Sequence, residues 1–187
     1  MRTMLIETER TPNPATLKFL PGREVGGART HDFATPEDAA ASPLARAIFE
    51  LGDVERVFLG GDFVTVTKAP GGADWATLRP EILGIIADHF ASGAPLLLGE
   101  AVDVAVHDDP ADADIVEQIR DLIDTRVRPA VANDGGDIVY RGFQRGVVFL
   151  HMQGSCAGCP SSTATLKGGI ENLLKYYVPE VTEVRAV

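Results

Sequence analysis

Gly154-Ser155-Cys156-Ala157-Gly158-Cys159-Pro160 is the stretch on which the reading of this chain turns. Its two cysteines are the only ones among 187 residues. They are too few to staple a fold and sit three positions apart, so the chemistry is sought there. The loop opens a helix, because Leu166, Ile170, Leu173, Leu174 and Tyr177 fall at the spacing of one buried stripe before Pro179 ends it. At a helix entrance, unpaired amide hydrogens and the dipole favour negative charge. That environment stabilises thiolates, the form of cysteine that binds metal or attacks a disulfide. Gly154 and Gly158 let the backbone approach whatever the sulfurs hold.

Upstream of this loop, Ile115, Ile119, Leu122, Ile123 and Val127 define one face of a helix that Arg128-Pro129 ends or kinks. Asn133-Asp134-Gly135-Gly136-Asp137 turns the chain into a strand over Ile138 to Phe143, and a hairpin at Gln144-Arg145-Gly146 returns it through Val147 to Met152. Val181 to Val187 reads as a last strand, so the order is α-β-β-α-β with the C-x-x-C loop opening the second helix.

Ala91 to Pro110 carries Gly93, Pro95 and Gly99, room for a short strand at Ala101 to Val106, and the polar run His107-Asp108-Asp109-Pro110. We read residues 93–110 as a linker, with one small domain at 1–92 and another at 111–187. In the first, Thr3 to Thr8 and Thr16 to Leu20 read as strands around Pro12-Asn13-Pro14. Ser42-Pro43 starts a helix carrying Leu44, Ile48 and Leu51. Val54 to Leu59 and Phe63 to Thr67 form a hairpin about Gly60-Gly61-Asp62, and a helix runs from Asp74 toward Ser92 with Leu78, Ile82, Ile85, Ile86 and Phe90 at helical spacing. The fold class is α+β in both domains.

With 45% hydrophobic and 24% charged residues the chain is globular in composition. Its 27 acidic against 17 basic side chains argue against a nucleic-acid backbone as partner. Nine Lys and Arg face 17 Asp and Glu up to Pro110, against eight and ten beyond it, so the cysteine-bearing part is nearly neutral. The apolar runs are too short for a membrane span. The N-terminal residues, with Arg2, Glu7, Glu9 and Arg10, do not read as a secretory signal, which predicts a reducing, cytoplasm-like compartment. No phosphate loop, dinucleotide fingerprint, zinc-protease motif or nucleophile elbow occurs, and the chain is not read as an enzyme.

Three uses of the cysteines compete. Zinc or an iron–sulfur cluster normally takes four protein ligands, and one chain offers two thiols and at best His151. Two chains supply four thiolates. A thioredoxin-like redox pair is the third use, although its loop belongs after a strand in a βαβ unit and this one follows a hairpin.

The surrounding residues carry a resemblance. Gly154 to Ser162, continued by Thr165-Leu166-Lys167-Gly168-Gly169-Ile170-Glu171 and Pro179-Glu180-Val181, resembles the C-terminal domain of NifU, and Arg128-Pro129 with Asp134-Gly135-Gly136-Asp137 matches that domain's second signature. Thr11-Pro12-Asn13-Pro14, Lys18-Phe19, Pro21-Gly22, Ser42-Pro43-Leu44 and the run Asp62 to Lys68 with Trp75 resemble the companion Nfu N-terminal domain. The resemblance implies an iron–sulfur cluster scaffold and carrier. Cys156 and Cys159 would ligate a cluster of the 4Fe-4S type bridging two subunits of a homodimer, accepted from upstream donors and passed to apo-protein clients. The cytoplasm of a bacterial-type cell is the expected location, or the mitochondrial matrix for a processed eukaryotic chain. The cysteine-rich scaffold and central domains of full-length NifU are not in this sequence, so assembly from free iron and sulfide is not implied.

Other motifs have simpler readings. Asp134 to Asp137 reads as a turn needing positive φ, His151 as an exposed or hydrogen-bonded histidine, Lys167 as solvated, and Trp75 with the Phe58/Phe63 pair as core.

Overall fold

The computed structural model describes residues 4–99, 107–157 and 160–187. It forms two compact units, residues 1–101 and 102–187.

In the first unit the chain runs β1 (Glu7–Arg10), β2 (Thr16–Leu20), β3 (His31–Phe33), α1 (Pro43–Phe49), β4 (Val54–Leu59), β5 (Val64–Lys68) and α2 (Trp75–Ser92). The strands make one antiparallel sheet ordered β1-β2-β5-β4-β3. Alternation along the strands puts Leu17 and Phe19, Val57 and Leu59, and Val64 and Val66 on one face, where α1 and α2 bury Leu44, Ile48, Leu78, Ile82 and Ile86 against them. Ser42 caps α1 by accepting from the Ala45 amide at 3.2 Å, with Pro43 in the first turn. Phe58, between two core residues, faces the other way and meets Phe63 with ring centres 5.9 Å apart. Both rings are buried, but on the sheet face opposite the main core.

Two elements of this unit differ from expectation. The first strand lies at Glu7–Arg10 rather than Thr3 to Thr8, because the Pro12-Asn13-Pro14 turn folds it back from Arg10 opposite Leu17 to Glu7 opposite Leu20. Leu5, inside the expected strand, is 76% exposed, and Thr3 lies outside the described residues. The edge strand β3 has only three residues and no alternation long enough to read.

The second unit contains β6 (His107–Asp108), α3 (Ala113–Leu122), a π-helical turn (Ile123–Val127), α4 (Arg128–Asn133), β7 (Gly136–Gln144), β8 (Val147–Gly154), α5 (Pro160–Tyr177) and β9 (Glu183–Ala186). Its sheet is ordered β6-β7-β8-β9, with β7 and β8 antiparallel and each outer strand parallel to its neighbour. Ile119, Ile123, Val127 and Val131 pack with Ile138, Val148, Leu150, Ile170, Leu174 and Val184 in a single core. Arg145 at φ 50° and Gly146 at φ 83° make the two-residue β7–β8 turn, a conformation with both central residues left-handed that suits the twist of a hairpin.

Arg128-Pro129 does not stop the first helix of this unit. The helix continues to Asn133 through the π turn, in which the Arg128 amide reaches back to the Ile123 carbonyl. The wider turn precedes a proline that has no amide hydrogen and whose ring crowds the preceding turn. Tyr177, expected in the buried stripe of α5, is 43% exposed, with the Arg126 guanidinium 5.0 Å from its ring centre. It belongs to the last, outward-turned position of the helix. The polar run expected in the linker contributes β6, while the strand expected at Ala101 to Val106 lies outside the described residues. No helix among the described residues is long and apolar enough to cross a membrane.

Candidate functional site

Cys156 sits between β8 and α5, and the residue is only 6% exposed. Gly154, at φ 65°, turns the chain out of β8, and the Ala157 amide closes back on the Gly154 carbonyl at 3.1 Å. The first turn of α5 holds the loop from the other side: Thr163 Oγ1 donates to the Cys156 carbonyl at 3.0 Å. Cys159 lies outside the described residues.

The segment Asp134 to Asp137 builds the rest of the seat. The register of β7 on β8 places Gly136 opposite Gly154 and Asp137 opposite Gln153. A Cβ on Gly136 would stand 2.8 Å from Cys156 Sγ and 2.7 Å from the Gln153 carbonyl, closer than real side chains come. Ser155, next to the cysteine and 3% exposed, donates its amide to the Gly135 carbonyl at 3.2 Å and its hydroxyl to the Asp134 carbonyl. The turn reading of this segment holds, since Gly135 has φ 82°. It is incomplete, because Gly136 is also the surface against which the sulfur lies. The family resemblance places both segments in one domain, but nothing in the sequence says that residue 136 touches residue 156. The signal that finds the pair is the strand register, which starts from the hairpin turn at Arg145-Gly146 and shifts by one residue between Tyr140 and Gly142 before it reaches Gly136.

Beside the seat lies an ion pair between a half-buried arginine and a buried aspartate. Arg128 Nε and Nη2 each donate to Asp137 at 2.8 Å, and Asp137, 3% exposed, also accepts from the Ile138 amide at 2.8 Å. The bond to Asp137 holds the Arg128 guanidinium well above its ordinary pKa, so Arg128 stays charged at any physiological pH. Bidentate geometry fixes α4 against the start of β7, at the residue directly after the glycine that touches Cys156.

The remaining candidates lie elsewhere. His151 Nδ1 hydrogen-bonds the Val187 carbonyl at 2.7 Å, and Lys167 is half-buried on α5, near Glu171, whose carboxyl is lowered by the Lys175 hydrogen bond, then by the Val184 amide, and least by the charge of Lys167. Among the described residues no three His, Cys, Asp or Glu side chains gather as metal ligands. The arrangement presents a thiol on a backbone seat with rigid supports, suited to a ligand sulfur whose position must be kept.

The two units match two family models, described as "Scaffold protein Nfu/NifU N terminal" over residues 6–93 and "NifU-like domain" over residues 119–185. The human protein named NFU1 iron-sulfur cluster scaffold homolog, mitochondrial, is 49% identical over 187 residues, which cover all of this chain and 73% of that one. NifU-like protein 5, mitochondrial, of Arabidopsis thaliana is 49% identical over 98% of this chain and 68% of its own. This chain spans 65% of the Drosophila ananassae relative, at 48% identity. A solution NMR structure of a NifU-like protein from Saccharomyces cerevisiae aligns with a TM-score of 0.48 at 28% identity, covering 54% of this chain and 89% of that one. With both models matched in order and near-half identity along the whole chain, this protein belongs to the Nfu/NifU family, whose members are scaffold proteins and not enzymes.

Proposed function

We propose that two copies of this chain hold one iron–sulfur cluster through Cys156 and Cys159 of each, and pass it to apo-protein clients. The observation that carries the reading is the seat of Cys156, built from both C-terminal signatures at once: Gly136 lies against Sγ, and Ser155 is bonded to Asp134 and Gly135. Names of relatives that specify an iron-sulfur cluster scaffold support it. Four thiolates are the usual ligand set of such a cluster, of the 4Fe-4S type in our reading, and two per chain require a homodimer. A cluster held by few chain contacts at a subunit joint leaves readily to an acceptor with better ligands, which suits a carrier between donors and clients. The reading requires a compartment that keeps both thiols reduced. The relatives named mitochondrial support the matrix alternative to the cytoplasm.

Anaerobic reconstitution with iron and sulfide, followed by iron and sulfide counts and Mössbauer spectra, tests the proposal. The expected stoichiometry is one cluster per two chains, abolished by Cys156→Ala and by Cys159→Ala separately, because two variant chains then supply only two thiolates. A full cluster on a monomer without external thiol overturns the shared site. Rapid turnover of insulin disulfides by a protein that never holds iron establishes a redox pair instead, and stoichiometric zinc that survives reconstitution establishes a structural site.

A further inference from the structure

The Thr11-Pro12-Asn13-Pro14 turn is a prominent motif of the first unit, and cluster chemistry makes no use of it. It forms one wall of a groove of about 680 Å³ whose lining also includes Leu17, Trp75, Arg10 and Arg79. The wall is stiff. Two prolines fix its φ angles, the Thr11 hydroxyl donates to the Asn13 carbonyl at 2.9 Å and accepts from the Asn13 amide at 3.2 Å, the Ala15 amide donates to Asn13 Oδ1 at 3.0 Å, and Trp75 Nε1 donates to the Pro14 carbonyl at 3.3 Å. That last bond ties the turn to the start of α2 and fixes the indole.

The charge of the groove opposes that of its surroundings. The first 110 residues carry 17 acids against nine bases, yet two of those nine line this one groove and no acid is among its described lining residues. Arg10 ends β1, and Arg79 stands one turn after Trp75 on α2. Both are exposed, and neither is ion-paired among the described residues. Elsewhere in this unit Lys18, Arg56 and Lys68 each face a carboxylate within 4.0 Å, while Arg23 and Arg46, also without an ion pair among the described residues, lie outside the groove. Unanswered guanidiniums beside a preformed apolar floor match a ligand with carboxylates next to an aliphatic group. A bare inorganic anion would leave the tryptophan and the prolines unused.

We propose that this groove binds an extended acidic peptide segment of a partner protein, its carboxylates on Arg10 and Arg79 and an aliphatic side chain on the floor of Trp75, Pro12 and Pro14. The inference rests on the proposed transfer to apo-protein clients and gives client docking a place. It is tested without any cluster, so that failure of either reading is seen separately.

Trp75 is the only tryptophan of the chain, so its emission reports on the groove directly. The probe is a capped nonapeptide of alternating leucine and glutamate, titrated into the apo form of the full chain at low salt. Its comparators are the same peptide with glutamine for glutamate, and inorganic phosphate. The glutamate peptide is expected to shift Trp75 emission saturably. Arg10→Gln and Arg79→Gln are each expected to weaken it about fivefold or more, the loss of one exposed charge-assisted hydrogen bond. Arg46→Gln makes the same charge change on an exposed residue outside the groove and should alter affinity less than about twofold. Absence of a saturable response, equal binding of the glutamine peptide, or equal weakening by Arg46→Gln overturns the proposal. Phosphate competing at the same concentration as the peptide also overturns it, reducing the groove to a general anion site.

Discussion

Gly136 and Gly168 are both glycines of the second unit, but a methyl group has opposite meanings at the two positions. At Gly136 it would meet the Cys156 sulfur at 2.8 Å and backbone at 2.7 Å, whereas at Gly168, inside α5, it meets nothing within 4 Å. Gly136→Ala should therefore displace the thiol and lower the iron bound per chain severalfold. Gly168→Ala should leave iron binding intact and raise stability by about 0.5–1 kcal/mol, the helical preference for alanine. Iron counts and urea midpoints of the two variants check both halves, and equal iron loading by Gly136→Ala would remove the seat from the argument. Arg128→Ala should cost about 3 kcal/mol, because it takes the guanidinium from an aspartate that is 3% exposed. A midpoint close to that of the parent chain would show that Asp137 is satisfied without it. The cysteines were legible in sequence because their type and spacing are chemistry in themselves. Their support was not, since Gly136 and Arg128 gain their roles only through the β7–β8 register and the helical path past Pro129.

Elements announced by local chemistry appear where the sequence places them. Ser42-Pro43 opens α1, and the hairpin about Gly60-Gly61-Asp62 joins β4 to β5. Elements held by neighbours alone escape: β3 and β6, of three and two residues, exist through their pairing with β4 and β7. Tyr177 satisfies helical spacing yet faces outward, because periodicity does not tell which end of a stripe the core reaches. Helix α2 carries a testable consequence of its burial pattern. His89, next to Phe90 on this helix, is buried, and its Nε2 has no hydrogen-bond partner among the described residues. Burial lowers its pKa from 6.5, so the folded state resists protonation more than the unfolded chain does. Between the folded value and 6.5 the unfolded state binds more protons, and stability falls as pH drops through that window. His31, lowered by burial and then by Arg29, adds in the same direction. Urea midpoints at pH 7.5 and 5.5 should differ less in His89→Leu than in the parent chain, with the residual slope left to His31. An unchanged difference would show that His89 titrates alike in both states.

At the scale of the whole molecule, Asp108 bears on where the second unit begins, and the first unit's contribution is open to test. One Asp108 carboxylate oxygen accepts from the Tyr140 hydroxyl at 2.6 Å and the Phe143 amide at 3.1 Å, and the other lies 3.4 Å from Arg120. Burial first and Asp108 second push the Tyr140 hydroxyl far above its ordinary pKa, so it remains a donor that needs this acceptor. A fragment beginning at Asp109 loses β6 and that carboxylate together, leaving a half-buried hydroxyl and an amide without partners at about 1–3 kcal/mol each. A fragment beginning at Val102 keeps them, and should unfold in urea near the midpoint of the second unit in the full chain. It should also take up one cluster per two chains, since both cysteines and their seat remain. What it lacks is the groove at Arg10 and Arg79, which on the proposed reading keeps a client at raised effective concentration near the cluster. Transfer from this fragment to a natural client should be slower than from the full chain, while transfer to a generic acceptor that offers only cysteines should barely change. The Arg10→Gln, Arg79→Gln double variant of the full chain separates tethering from bulk stability, because it retains the whole first unit and should behave toward the client as the fragment does. Equal rates from all three proteins toward every acceptor would assign the first unit to solubility alone.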